Sequence, residues 1–94
     1  MKVRLEYSAQ LRTALGRAAE DVELPDAATV RELLIQLAAT CGDDAAGHLV
    51  TDAGDLRPSL LVIVNDVAAP ARHSASTKLR PGDVVTLLPP VSGG

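Results

Sequence analysis

The sequence predicts an α+β domain in which a mixed sheet of four to five strands packs on one main helix. The first observation behind this prediction is a helical spacing of apolar residues over positions 30–41, bounded by a capping signal and a glycine. The second is a set of short alternating or apolar segments on both sides of that helix, each ended by turn residues as strands are. A chain of 94 residues has the length of one domain.

The first part of the chain is predicted to form two neighbouring strands joined by a short helix. Residues 2–7 alternate charged and apolar side chains, which is typical of a half-buried strand. Ser8 can cap a short helix and Gly16 can end it, because a hydroxyl accepts from free helix amides and glycine adopts left-handed angles. Residues 18–24 alternate again and form the second strand, which Pro25 ends.

The main helix has the clearest signal in the sequence. Thr29 and Glu32 form a capping box, in which each side chain accepts a hydrogen bond from the backbone amide of the other residue. Gly42 ends the helix. The apolar residues along one helical face are Val30, Leu33, Leu34, Leu37, Ala38 and Cys41. This face needs a sheet to pack against, and the flanking strands supply it.

The second half of the chain is predicted to add the remaining strands. Residues 43–57 are weakly patterned and hold one further helical turn. Residues 60–64 are apolar at every position, which is typical of a strand that is covered on both faces or central in its sheet. Residues 67–78 form a loop with one short edge strand, and residues 84–88 form the last strand, between a Pro-Gly-Asp turn and two prolines.

The composition excludes several functional classes. The formal net charge is −3 and Tyr7 is the single aromatic residue, so we expect no nucleic-acid partner. Cys41, His48 and His73 do not have metal-ligand spacing, so we expect no metal site. The apolar run 60–64 is far shorter than the roughly 20 residues of a membrane helix, and the alternating first residues are not a secretory signal. We therefore expect a cytoplasmic protein without a membrane partner.

The last six residues carry the predicted chemistry. Two prolines lead into residues with progressively smaller side chains, and the segment finishes on Gly93 and Gly94. Because glycine has no Cβ, such a segment can enter a tunnel too narrow for side chains and deliver the Gly94 carboxylate into the active site of another protein. A carboxylate must be activated before it can react, most simply as an anhydride with AMP, after which a sulfur nucleophile gives a thioester or thiocarboxylate. We predict a single domain over residues 1–90 and a flexible tail over residues 91–94.

The chain resembles the ubiquitin-like sulfur carriers with the β-grasp fold, the family of the small subunit of molybdopterin synthase and of the thiamin-pathway carrier ThiS. The resemblance covers nearly the whole chain. It is carried by the segments YSAQLR and LG in residues 7–16, LP at 24–25, TVRELL at 29–34, VND at 64–66, LRPGDVV at 79–85 and LLPPVSGG at 87–94. The two prolines before the tail are closer to the molybdopterin synthase small subunit than to ThiS.

The resemblance implies that a ubiquitin-activating-type enzyme adenylates Gly94 with ATP, and that this chain binds no cofactor itself. Conversion to a thiocarboxylate follows, and the sulfur passes to a pterin precursor in the molybdopterin synthase large subunit during molybdenum cofactor biosynthesis. The chain would be a carrier subunit without catalytic residues of its own. Related carriers serve thiamin synthesis, cysteine synthesis or tRNA thiolation, and others modify proteins, so these destinations remain open. A non-catalytic β-grasp interaction module with an incidental tail is a further alternative.

Partner contacts are expected along the tail and the strand before it. If Val85 and Leu87 face the core, Thr86 and Leu88 face outward, and an exposed apolar patch there would mark a docking site. The alternative is that Leu88 belongs to the core and the patch is absent. The predicted site has Gly94 as its reacting residue and, as partner-binding residues, Leu88, Pro90, Val91, Ser92 and Gly93.

Overall fold

A computed structural model describes residues 1–8 and 10–88 of the chain. The five strands of its mixed sheet are β1 (Lys2–Tyr7), β2 (Ala19–Glu23), β3 (Leu61–Val64), β4 (Val67–Ala68) and β5 (Val84–Leu88). The helices are α1 (Gln10–Leu15), α2 (Val30–Thr40) and α3 (Asp43–Ala46), with a 3-10 turn at Ala71–His73. A mixed sheet packed on one long helix is the β-grasp arrangement that the sequence predicts.

The strands lie in the order β2-β1-β5-β3-β4. β1 and β5 pair in parallel, whereas β1–β2, β3–β5 and β3–β4 are antiparallel pairs. The first two strands are therefore neighbours, as predicted. Because β2 and β3 both run against the central parallel pair, they run in the same direction.

Helix α2 begins and ends at the predicted residues. The Thr29 hydroxyl accepts from the Glu32 amide at 3.2 Å, and the Glu32 carboxylate accepts from the Thr29 amide at 3.2 Å. Cys41 is the last, capping residue, and Gly42 follows with φ +91°, a left-handed angle that glycine adopts at little cost. The apolar face of α2 packs on the sheet and contributes Val30, Leu33 and Leu34 to the core. The rest of the core includes Leu5, Leu11, Leu60, Val85 and Leu87.

Of the two alternatives that the sequence offered for residues 60–64, the structure supports a strand inside the sheet and not one covered on both faces. β3 lies inside the sheet between β5 and β4, and Val62 is buried. On the other face of β3, Ile63 is half-buried and Leu61 is 57% exposed. The reason is that the buried strand residues all face α2, so one sheet face carries apolar β3 side chains that no described element covers.

Ser8 has a different role from the predicted helix cap. Its hydroxyl donates to the Leu87 carbonyl at 3.3 Å, and its own carbonyl accepts from the Leu11 amide at 3.2 Å. The cause is the parallel pairing of β1 with β5, which continues one residue past Tyr7 and brings Ser8 beside Leu87. The predicted end of the short helix is correct, since Gly16 follows α1 with φ +74°.

The weakly patterned region contains the predicted extra helical turn, α3, followed by a bridge between Val50 and Leu56. The short edge strand predicted in the loop after residue 66 is β4. Over residues 1–8 and 10–88, none of the helices combines the length and the apolar character that a bilayer crossing requires.

Candidate functional site

The structure places one of the predicted site residues directly. Leu88 is the last residue of β5, is half-buried, and lies opposite Leu61 of β3 in the antiparallel register. The remaining predicted site residues, Pro90, Val91, Ser92, Gly93 and Gly94, lie outside the described residues. The part of the predicted site that the structure describes is therefore Leu88 and the sheet around the end of β5.

β5 is held on both sides along its length. The Arg4 amide donates to the Asp83 carbonyl at 2.9 Å where β5 begins, and the Ser8 amide donates to the Leu87 carbonyl at 3.3 Å where it ends. β3 pairs with the other side of the strand, from Leu61 opposite Leu88 to Val64 opposite Val85. Both ends of β5 are thus held by neighbouring strands.

A turn network fixes the start of β5. The Asn65 side-chain nitrogen donates to the Asp83 carboxylate at 2.8 Å, and the Asn65 side-chain oxygen accepts from the Val84 amide at 2.9 Å. The Asp83 carboxylate also accepts from the Arg80 amide at 2.8 Å. The VND and PGD segments are far apart in the sequence, and neither segment by itself predicts that they meet. The only signal available was that Asn65 directly follows one apolar segment and Asp83 directly precedes another.

An apolar surface lies beside the end of β5. Val85 and Leu87 are fully buried against α2, so Thr86 and Leu88 are on the opposite side of the sheet. Their partners in the register are Ile63 opposite Thr86 and Leu61 opposite Leu88. We call this set of four residues, Leu61, Ile63, Thr86 and Leu88, the outer apolar face. It includes Leu61, one of the most exposed large apolar side chains among the described residues.

The rest of the same sheet face is charged. Arg4 of β1 lies 3.1 Å from the Glu6 carboxylate and 4.0 Å from the Asp21 carboxylate of β2. The outer surface of the sheet thus has a charged half on β1 and β2 and an apolar half on β3 and β5. A protein that covers the apolar half would lie next to Leu88, the last residue of β5.

A polar cluster on the opposite side of the sheet joins β1, β2 and the turn between α1 and β2. The Tyr7 hydroxyl donates to the Glu20 carboxylate, which also accepts from Arg17 at 2.7 Å. Burial, together with the neighbouring Glu20 carboxylate, raises the pKa of Tyr7 well above its usual value. Glu20 also raises the pKa of Arg17. Tyr7 is therefore held as the neutral phenol, and Arg17 and Glu20 form an ion pair. These interactions stabilise the fold and do not supply a base.

Cys41 is the single thiol of the chain and is half-buried at the end of α2. Burial raises its pKa, so the side chain is held as the weakly nucleophilic thiol rather than as the reactive thiolate. Within residues 1–8 and 10–88, no three His, Cys, Asp or Glu side chains come together as metal ligands would.

Comparison with known proteins identifies the family. The model of the ThiS family matches residues 5–94. Small archaeal modifier protein 3 from Haloferax volcanii is 33% identical over 94 residues, which is the whole of both chains. The crystal structure of SAMP1 from Haloferax volcanii has a TM-score of 0.84 at 27% identity, again over all of both chains. The putative molybdopterin converting factor, subunit 1, from Pyrococcus furiosus has a TM-score of 0.75 at 29% identity, over 97% of this chain and 99% of that one.

These likenesses span the whole sheet and helix α2, and the family match extends through the two glycines at 93 and 94. The fold is therefore the ubiquitin-like β-grasp. The chain belongs to the ThiS family, within the ubiquitin-like sulfur carriers and protein modifiers.

Proposed function

We propose that the chain is a sulfur carrier that works through the carboxylate of Gly94. An adenylating enzyme of the ubiquitin-activating type activates this carboxylate with ATP, and a sulfur nucleophile converts it to a thiocarboxylate. One observation carries the proposal: β5 is held between two strands and ends at Leu88, beside the outer apolar face and six residues before Gly94. The family match that extends to residue 94 supports it.

The proposed chemistry has two steps. A carboxylate oxygen of Gly94 attacks the α-phosphorus of ATP, the bond to the β-phosphate breaks, and pyrophosphate leaves. Hydrosulfide then attacks the carbonyl carbon, and the bond from that carbon to the AMP oxygen breaks with its electron pair. The products are the thiocarboxylate, AMP and a proton, so no oxidant or reductant is needed. Both steps take place in the active site of the activating enzyme.

The length of the segment after β5 suits delivery into a partner. The six residues Pro89–Gly94 can span at most about 20 Å when extended. A partner docked on the outer apolar face can therefore place an active site up to that distance from Leu88. Because the last two residues are glycines without a Cβ, the carboxylate can enter a tunnel too narrow for side chains.

We propose that molybdenum cofactor biosynthesis receives the sulfur. Two observations support this destination: the two prolines before the tail resemble the molybdopterin synthase small subunit, and the Pyrococcus furiosus protein named as a putative molybdopterin converting factor is 29% identical. The acceptor would be the molybdopterin synthase large subunit, in which the sulfur passes to a pterin precursor to form its dithiolene. The chain would act in the cytoplasm as the small subunit, without catalytic side chains of its own.

A second candidate is protein modification, and the 33% identity to small archaeal modifier protein 3 over the whole chain favours it. The adenylate would be the same, but the acceptor would be a lysine amine and the product an isopeptide bond. Carriers for thiamin synthesis, cysteine synthesis or tRNA thiolation share the activation steps and differ only in the acceptor.

The experiment first tests activation and then the destination. The chain is incubated with ATP and the adenylating enzyme of its own organism, and exchange of labelled pyrophosphate into ATP is measured. We expect exchange with the full chain and none with a variant that ends at Ser92, whose thermal unfolding should be unchanged. Equal exchange with both, or no exchange with either, would overturn the proposal, and the second result would favour the interaction module.

The reaction of the thiocarboxylate form then identifies the acceptor. Addition of the molybdopterin synthase large subunit and its pterin precursor should yield the dithiolene product. Formation of isopeptide-linked lysine conjugates in place of that product would assign the chain to protein modification.

A further inference from the structure

The edge of the sheet at β2 presents an unpaired row of backbone groups. The Leu24 amide donates to the Met1 carbonyl and the Tyr7 amide donates to the Ala18 carbonyl, both at 2.8 Å. In an antiparallel pair the hydrogen-bonding direction alternates, so the backbone groups of Ala19, Asp21 and Glu23 point away from β1. Within residues 1–8 and 10–88, no other strand lies on that side of β2. Such an edge is a template for a further strand.

A groove runs beside this edge, between β2 and α2. It has a volume of about 310 Å³, an apolar floor that includes Val22 and Leu37, and a polar rim. Gln36 lines this groove and also a second cavity of about 620 Å³ beyond the end of β2. Leu24, Pro25 and Ile35 line the second cavity, and Ile35 is 37% exposed. A strand added to β2 would therefore find space for its inward side chains. Past its end lies a cavity whose lining is apolar at Leu24, Pro25 and Ile35 and charged at Arg31 and Glu32.

The charges on the outer side of β2 select the chemistry of the added strand. Asp21 lies opposite Arg4 of β1, and Glu23 lies opposite Lys2. The sign of charge therefore changes from β1 to β2, and a strand with basic side chains would continue the alternation. Opposite charges directly across two strands stabilise the pairing, and like charges destabilise it.

The same charges disfavour a second copy of the chain as the occupant. Two β2 strands paired antiparallel about Asp21 would bring this carboxylate against its own equivalent, with Glu23 near the equivalent Ala19. Like charges directly opposite are unfavourable, and nothing basic lies on β2 to offset them. The observations therefore favour a different protein.

We propose that the free edge of β2 binds an extended, positively charged segment of a partner protein as an added strand. Its basic side chains would face Asp21 and Glu23, its alternate side chains would lie in the groove against α2, and an apolar residue would enter the cavity at Ile35. β1 and β5 separate this edge from β3. The partner would thus hold the chain while the outer apolar face and the tail remain available.

The test uses a fluorescein-labelled peptide of alternating lysine and valine that ends in leucine. Two matched peptides serve as controls: one has glutamate in place of each lysine, and the other has the lysines but carries N-methyl groups on alternate backbone nitrogens. Each is titrated with the full chain at near-physiological salt, which screens interactions beyond about 8 Å. Anisotropy gives the affinity, and amide chemical shifts give the position.

We expect the lysine peptide to bind and to shift the amides of Ala19, Asp21 and Glu23. The double variant Asp21→Asn/Glu23→Gln should weaken it by about three- to tenfold, as the loss of two exposed ion pairs predicts. The charge-matched double variant Asp43→Asn/Asp66→Asn, at exposed sites in α3 and in the turn after β3, should bind as the original chain does. Both control peptides should bind at least about tenfold more weakly, because one reverses the charge and the other removes main-chain donors.

Several outcomes would overturn the proposal. Equal binding of the N-methylated peptide would mean that charge alone attracts it. Shifts at Leu61 and Leu88 in place of Asp21 would move the site to the outer apolar face. Absence of binding by the lysine peptide, or dimerisation of the chain through β2 in sedimentation measurements, would exclude a basic partner strand at this edge.

Discussion

Asn65 and Asp83 are joined by a hydrogen bond of 2.8 Å from the asparagine side-chain nitrogen to the aspartate carboxylate. The asparagine oxygen accepts from the Val84 amide at 2.9 Å, so the first residue of β5 is bonded to the turn that follows β3. β5 leads to the segment that ends in Gly94. This pair of side chains therefore sets the starting point of the strand on which the proposed function depends.

Replacement of Asn65 is expected to destabilise the fold by two separable effects. Asn65→Ala removes both side-chain hydrogen bonds. It also leaves at φ +49° a residue whose side chain cannot hydrogen-bond to the local backbone as asparagine can. We expect a loss of about 2–4 kcal/mol in the free energy of unfolding, measured by urea denaturation. Asn65→Gly removes the same hydrogen bonds but tolerates the angle, so its loss should be about 1 kcal/mol smaller. Equal losses for the two variants would contradict a role for the backbone angle.

Alkaline pH is expected to destabilise the fold through Tyr7. Burial and the Glu20 carboxylate raise its pKa in the folded chain, so the folded state holds the phenolic proton more tightly than the unfolded chain does. The stabilisation is therefore complete below the unfolded pKa of about 10 and is lost as the pH rises toward the folded pKa. Over that range the free energy of unfolding should fall by up to about 1.4 kcal/mol per pH unit from this group.

The variant Tyr7→Phe isolates that contribution. It lacks the titrating hydroxyl, so its unfolding free energy should fall less steeply above about pH 10 than that of the original chain. At neutral pH it should lose about 0.5–1.5 kcal/mol, because the hydrogen bond to Glu20 is gone. Urea denaturation at neutral pH and at several alkaline values measures both. Parallel curves for the two proteins above pH 10 would count against the raised pKa.

The outer apolar face is expected to bind the activating enzyme. Leu61→Asp places a charge on this face and should weaken binding by at least about tenfold, since desolvating an unpaired carboxylate is unfavourable. Val67→Asp is the matched control, because Val67 is 67% exposed in edge strand β4 and its partner Val64 faces the core side. Isothermal titration with the enzyme compares them. Equal weakening by both variants would point to charge rather than to the face.

Features set by residues close in the sequence were predictable. Thr29 and Glu32 form the expected capping box because both partners lie within one helical turn, and Gly42 ends α2 for a local backbone reason. The five-stranded sheet also follows, since the strand segments alternate or are apolar and turn residues separate them. The apolar and charged sequence patterns together specify the order of elements.

Features set by distant residues were not predictable from local patterns. The partner of Ser8 is Leu87, 79 residues away, and only the parallel pairing of β1 with β5 brings them together. The meeting of Asn65 with Asp83 depends on the same topology. The sequence left open whether one side of β3 is uncovered, because an apolar segment has the same pattern whether one or both of its faces are covered within the chain.

The most direct measurement is the intact mass of the chain after incubation with ATP, hydrosulfide and the activating enzyme. The account predicts a gain equal to the difference between one sulfur and one oxygen atom, located at Gly94 by fragmentation, and no gain in a variant that lacks Gly93 and Gly94. An unchanged mass with an enzyme that is active on another carrier, or a sulfur gain located at Cys41, would contradict it.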